Sequence, residues 1–134
     1  SQPVARKLRI LLAEDTRANR LLVVRILGKR GHWVYEAMDG REALDQLARQ
    51  PFDVVLMDLQ MPVMDGFQAT AAIRALADPA KARVPIVALT AHAMKGDDQR
   101  CLAAGMDAYL AKPIDGRVLA DTVERLAQKG HSNA

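Results

Sequence analysis

The stretch "VVLMDLQMPVMDGF" (54–67) decides how the chain is read. Residues 54–57 form an unbroken apolar run that ends on a carboxylate, Asp58. A run that is apolar throughout, rather than alternating, describes a strand covered on both faces, the pattern of a parallel sheet. Two turn-forming pairs follow, Met61-Pro62 and Asp65-Gly66, and then helical spacing over about 66–76. A charge at the end of a buried strand, followed by a loop that stays apolar, places a reactive group at a sheet edge.

The same strand-then-helix unit recurs on both sides. Upstream, "RILLA" (9–13) precedes a helical segment over 18–30, where Leu21, Leu22, Val24, Ile26 and Leu27 are read as one apolar face and Gly31 as the stop. Residues 32–37 form a second strand, followed by an Asp39-Gly40 turn and a helix over 41–49 carrying Ala43, Leu44, Leu47 and Ala48. Downstream, "PIVAL" (85–89) precedes a helix over about 95–104, and "AYLA" (108–111) precedes one over 116–126. Strand–helix alternation of this kind predicts a doubly wound α/β fold, one parallel sheet with helices on both faces. The domain is expected over 8–127, with 1–7 a linker or expression remnant and 128–134 a flexible tail.

Composition sets bounds on the function. Of 134 residues, 50% are hydrophobic and 26% charged, ordinary for a globular domain. The 19 Lys and Arg against 16 Asp and Glu leave +3, and Arg6-Lys7, Arg25, Lys29-Arg30 and Arg83 form no long basic run. A solvated surface is therefore expected, not a nucleic-acid interface. Cys101, the single cysteine, excludes an intramolecular disulfide, fits a reducing compartment, and is read as a helix residue rather than a nucleophile. No apolar run approaches the ~20 residues that cross a bilayer.

In open parallel sheets ligands gather beyond the carboxyl ends of the strands. There the first strand ends in Glu14-Asp15, the third in Asp58, the fourth in Thr90 and the fifth in Lys112. Singly, each is explained as a helix cap or a loop charge; jointly, they describe a site. Three neighbouring carboxylates raise one another's pKa, and a hard divalent cation removes the conflict. Oxygen-only ligands suit Mg²⁺ or Mn²⁺, whereas the lack of His and Cys ligands argues against zinc. Asp58 is then the candidate nucleophile toward a phosphoryl group, with the Thr90 hydroxyl and the Lys112 ammonium to meet the transferred oxygens. Neither a Walker-type loop nor GxGxxG is present, so a nucleotide is not expected as the donor.

At these residues the chain resembles the receiver domains of two-component response regulators. The matching stretches are "LLAED" (11–15), "VVLMDLQMPVMDGF" (54–67), "VALTAHAM" (87–94) and "GMDAYLAKPI" (105–114), and the wording of the last two is most like receivers of hybrid sensor histidine kinases. The resemblance implies a flavodoxin-like five-stranded sheet of order 2-1-3-4-5 with five helices. It implies Asp58 as phosphoacceptor, Glu14 and Asp15 as the Mg²⁺-binding acids, and the backbone carbonyl of Gln60 as a further ligand. Asp15 would bind directly and Glu14 through water. Thr90 and Lys112 match the family's switch hydroxyl and lysine, and Tyr109 its switch aromatic. Lys112-Pro113 would be a cis peptide, and Asp65 would cap the third helix. The apolar loop after Asp58 would give a partner's helix a docking surface.

The implied function is a phosphorelay receiver that takes a phosphoryl group from a histidine kinase or histidine phosphotransfer domain. It would catalyse its own phosphorylation and slow hydrolysis, and would signal through the fourth helix, fifth strand and fifth helix. A cytoplasmic location is expected, alone or as the cytoplasmic part of a membrane-anchored hybrid kinase, with no membrane contact by this domain. Two alternatives remain: a Mg²⁺-dependent aspartyl-phosphate phosphohydrolase, and a receiver-like interaction module that is never phosphorylated. The hydrolase of the haloacid dehalogenase sort wants a carboxylate two positions after the nucleophile, where this chain has Gln60. One departure from the hybrid-type pattern is Thr16, in place of Asn after the acidic pair, which is expected to cap the first helix. His92 is read as a surface or satisfied histidine, His32 as structural and His131 as a tail residue. Met57, Met61, Met64 and Met94 are read as core and loop packing.

Overall fold

The computed structural model describes residues 6–91 and 95–132, with side chains as far as 128. His92 and Met94, and the side chain of His131, lie outside what is described. The elements in chain order are β1 (Arg9–Ala13), α1 (Arg17–Lys29), β2 (Trp33–Ala37), α2 (Gly40–Arg49), β3 (Val54–Asp58), α3 (Gly66–Arg74), α4 (Pro79–Ala82), β4 (Ile86–Thr90), α5 (Asp97–Ala103), β5 (Ala108–Ala111) and α6 (Gly116–Ser132). The sheet order is β2-β1-β3-β4-β5, with every pairing parallel.

Each central strand sends alternate side chains to two cores. Leu11, Val55, Met57, Ile86 and Ala88 meet Ala43 and Leu47 of α2, Ala69 and Ile73 of α3 and Cys101 of α5. Ile10, Leu12, Leu56, Val87 and Leu89 meet Val23 and Leu27 of α1 and Leu119 and Val123 of α6. Both faces are therefore covered, which is why β3 and β4 are buried at every position. The edge strands β2 and β5 are only partly buried. The methionine reading holds where it is described: Met57 is core, and Met61 and Met64 pack against it.

Four expectations need correction. The buried face of α1 is Val23 and Leu27. Leu21 and Leu22 are 53% and 38% exposed, because at 100° per residue they sit on the opposite side from Val23 and Leu27. A sixth helix, α4, forms one turn where none is expected: Asp78 accepts from the Ala80 N–H and Pro79 supplies a preset φ at its start. The last helix continues to Ser132, past the expected end at Leu126 and through the stretch read as a tail. Thr16 occupies the N-cap position of α1 but makes no side-chain cap bond.

Local chemistry explains how the strand ends are held. Asp65 caps α3 as expected, in a reciprocal pair with Gln68: the Gln68 N–H donates to Asp65 at 2.8 Å and the Asp65 N–H to Gln68 at 3.0 Å. Gly66 lets that helix start against β3, since a Cβ there would lie 2.4 Å from the Asp58 carbonyl oxygen. Between them Val63 takes φ +67°, closing a tight turn in which the Met64 N–H donates to the Pro62 carbonyl at 2.6 Å. The loop's apolar residues face inward for the most part: Leu59 is buried, Met61 and Met64 pack on the core, and Val63 is 82% exposed. At the other end of the sheet His32 is structural, as expected. Its Nδ1 accepts from the Leu8 N–H at 3.1 Å and its Nε2 lies 2.8 Å from Glu124.

Candidate functional site

Parallel register carries the ends of β1, β3, β4 and β5 to one edge. Ala13 lies opposite Met57, Asp58 opposite Leu89, and Thr90 opposite Ala111. Glu14 and Asp15 follow β1, Asp58 is the last residue of β3, Thr90 the last of β4, and Lys112 directly follows β5 and is joined to Pro113 by a cis bond. The fold thus turns a spread of nearly a hundred sequence positions into one cluster.

Its centre is a carboxylate triad. Ligand oxygens of Glu14, Asp15 and Asp58 all lie within 4.8 Å of one another. Glu14 and Asp58 are buried, and Asp15 is the most exposed of the three. Lys112 Nζ bridges the buried pair, 2.8 Å from Glu14 Oε1 and 3.0 Å from Asp58 Oδ2. Its contact with Glu14 is ionic, for Oε1 accepts no aligned hydrogen bond, whereas the contact with Asp58 is a hydrogen bond. The other Glu14 oxygen accepts from the Thr16 N–H at 3.0 Å, and Asp58 Oδ1 accepts from the Gln60 N–H at 3.1 Å. The Gln60 N–H is thus committed to Asp58, and Gln60 itself lines an open cleft of about 610 Å³ over the triad, together with Asp15, Asn19, Asp58 and Lys112.

The electrostatics divide the two buried acids. Asp58 is pushed up to about 6, first by burial and then by its neighbour Glu14. Burial pushes Glu14 up too, but Lys112 and the Thr16 N–H together hold it below the usual carboxylate range. Lys112 is raised despite burial, because both carboxylates favour its charged form. The pair therefore keeps one proton, on the Asp58 side, well above the pH at which an exposed Asp loses it. A hard cation would displace that proton, and an all-oxygen donor set on an open cleft fits Mg²⁺. The residues present fit such an ion: Asp15, Asp58 and Glu14 supply the charge, and the cleft leaves room for water.

Thr90 is buried at the end of β4, beside the cleft-lining Ala91. Tyr109 does not line the cleft. It stands opposite Ala88 in the β4–β5 ladder and packs, partly buried, on the core shared with α3 and α5. Three features escape a reading of the sequence. Asn19 and Ala91 line the cleft, and Arg20 on α1 donates to the main-chain oxygens of both acidic residues of the β1–α1 loop. Asn19 and Arg20 look in the sequence like two more polar residues of an amphipathic helix.

A profile of the response regulator receiver domain matches residues 10–124. Sensor protein GacS of Pseudomonas syringae pv. syringae is 48% identical over 86% of this chain and 13% of its own length. Histidine kinase 1 of Arabidopsis thaliana is 38% identical over 90% of this chain and, again, 13% of its own length. The chain thus spans a small part of these relatives. Among solved structures, the receiver domain of a sensor histidine kinase of Pseudomonas aeruginosa PAO1, with magnesium coordinated in its active-site cleft, is 41% identical. It has a TM-score of 0.83 and covers 92% of this chain and 99% of that one. Chemotaxis protein CheY4 of Vibrio cholerae is 32% identical at a TM-score of 0.81, over 90% of this chain and 99% of its own. With sheet order, strand-end residues and sequence agreeing across nearly its whole length, the chain belongs to the response regulator receiver domain family of two-component signalling, and is similar to the receivers of hybrid histidine kinases.

Proposed function

We propose that the domain accepts a phosphoryl group on Asp58 from a phosphohistidine of a histidine kinase or histidine phosphotransfer domain. The observation that carries this reading is the Lys112 bridge between Asp58 and Glu14 at the floor of an open acidic cleft. In the transfer the donor's N–P bond breaks, an O–P bond forms to Asp58, and the imidazole leaves with the electron pair. Mg²⁺, held by Asp15, Asp58, the Gln60 carbonyl and, through water, Glu14, would offset charge on the phosphoryl oxygens. Asp58 must be deprotonated to attack. Lys112 favours that form and stays to meet the product, while Thr90 offers a hydroxyl from the end of the adjacent strand β4.

The product carries up to about two negative charges where one stood. A hydrogen bond from Thr90 to the new oxygens would shift Thr90, and Tyr109 on the neighbouring strand would follow. The face of α5, β5 and α6 then reports the state to a downstream protein. On this reading the domain would work in the cytoplasm, alone or as the cytoplasmic part of a hybrid kinase.

The test uses acetyl phosphate as donor, with and without Mg²⁺, followed by intact mass. One phosphoryl group is expected, only with Mg²⁺, and lost slowly. Sustained phosphate release from p-nitrophenyl phosphate would favour the phosphohydrolase instead. No mass increase and no release would leave an interaction module. Gln60, in the place where a hydrolase needs its acid, supports the receiver.

A further inference from the structure

Arg20 lies against the site without a role in the transfer. It stands on α1, its side chain is 13% exposed, and it does not line the cleft. Its Nη1 donates to the Glu14 carbonyl oxygen at 3.0 Å and to the Asp15 carbonyl oxygen at 2.9 Å. Its Nε lies 3.3 Å from Glu36 Oε1 on β2. One guanidinium therefore ties the β1–α1 loop to its own helix and to the neighbouring strand.

The loop's other anchors hold Glu14. Its N–H donates to the Ala37 carbonyl at 3.0 Å and its Oε2 accepts from Thr16. Asp15 has no such anchor: among the described residues no hydrogen bond reaches its side chain. The direction of its carboxylate follows from its backbone. Peptide planes are rigid, so fixing two successive carbonyls fixes the torsions of the residue between them, and with them the Cα–Cβ direction of Asp15.

We infer that Arg20 is a positioning residue for the cation: by holding the Glu14 and Asp15 carbonyls together, it sets the backbone that turns the Asp15 carboxylate toward Asp58. The inference rests on the Mg²⁺ reading of the cleft. Geometry and charge here predict opposite signs. As a positive charge close to the acids, Arg20 opposes a divalent cation, so its removal would tighten binding. As a positioning fork, its removal loosens binding. Lys separates the two, because it keeps the charge but lacks the planar fork.

The experiment is calorimetric titration of Mg²⁺ into the full chain and its Arg20→Lys, Arg20→Gln and Glu36→Gln variants, with amide chemical shifts and thermal melts of each metal-free protein. Arg20→Lys and Arg20→Gln are expected to weaken Mg²⁺ about tenfold or more, the range seen when supporting partners of ligands are removed. Amide shifts at Asp15 and Thr16 should change without metal. Glu36→Gln, which leaves both carbonyl bonds available, should stay near the parent. Parent-like binding by Arg20→Lys, or tighter binding by Arg20→Gln, would overturn the inference and leave the metal site standing. A Glu36→Gln loss as large as that of Arg20→Lys would also overturn it, by moving the role to the ion pair. A parent that binds no Mg²⁺ would overturn the metal reading and this inference together.

Discussion

At Asp58 the fold holds a carboxylate where burial and a neighbouring acid both penalise its charge, and where the Gln60 N–H and Lys112 offset them only in part. That conflict has consequences in pH. The folded pKa of Asp58 is raised to about 6, so in the metal-free protein its contribution to stability is present at low pH and lost as pH rises through about 6. Glu14 runs the other way: its pKa is lowered, and its contribution is present above its ordinary value and lost as pH falls through the lowered one. Mg²⁺ held at Asp58, as proposed, would compete with its proton. Apparent Mg²⁺ affinity should therefore be nearly flat above about pH 7 and fall by up to about tenfold per unit below about pH 6. Calorimetric titrations across that range measure it, and an affinity independent of pH would show that Asp58 is not a ligand. Of the site residues, Glu14, Asp15, Asp58, Thr90 and Lys112 are legible in the sequence because strand-end position and residue type coincide. Arg20 is not, because nothing local says that its guanidinium reaches back to carbonyls five and six positions earlier in the chain.

At the scale of elements, the sheet works as a frame that presents side chains at one edge. The central strands are readable because a strand covered on both faces has no polar alternation to confuse it, and RILLA and VVLMD occupy the strands expected of them. Helix faces are less so. The sequence pattern of α1 offers apolar residues at consecutive positions, and only packing against β1 and α6 selects Val23 and Leu27 over Leu21 and Leu22. The one-turn α4 has no buried residue and so no apolar signature. The proposed signal also belongs to this scale, since Thr90 ends β4 and Tyr109 lies in the adjacent β5. Thr90→Ala should still accept a phosphoryl group, because Asp58, Lys112 and the acids are intact. Hydrogen exchange over 95–126, with and without beryllofluoride, should then respond less than in the parent. A full response in Thr90→Ala would remove Thr90 from the route between site and surface.

For the whole molecule, two helical layers clamp one parallel sheet, α1 and α6 on one side and α2, α3 and α5 on the other. The topology was legible from five strand–helix units, and the sheet order followed from the family resemblance. Where α6 stops was not, since a polar end containing Gly130 reads as a tail although the helix continues through it. The proposed function rests on one bond, an acyl phosphate at Asp58. The most direct measurement is the intact mass of the parent and of Asp58→Asn after acetyl phosphate and Mg²⁺, with hydroxylamine treatment and peptide mapping. The near-isosteric amide should leave the variant folded but without a nucleophile. The account predicts one hydroxylamine-labile phosphoryl group on the parent and none on Asp58→Asn. Equal labelling of the variant, or a label mapped to Asp15 or Asp65, would contradict it.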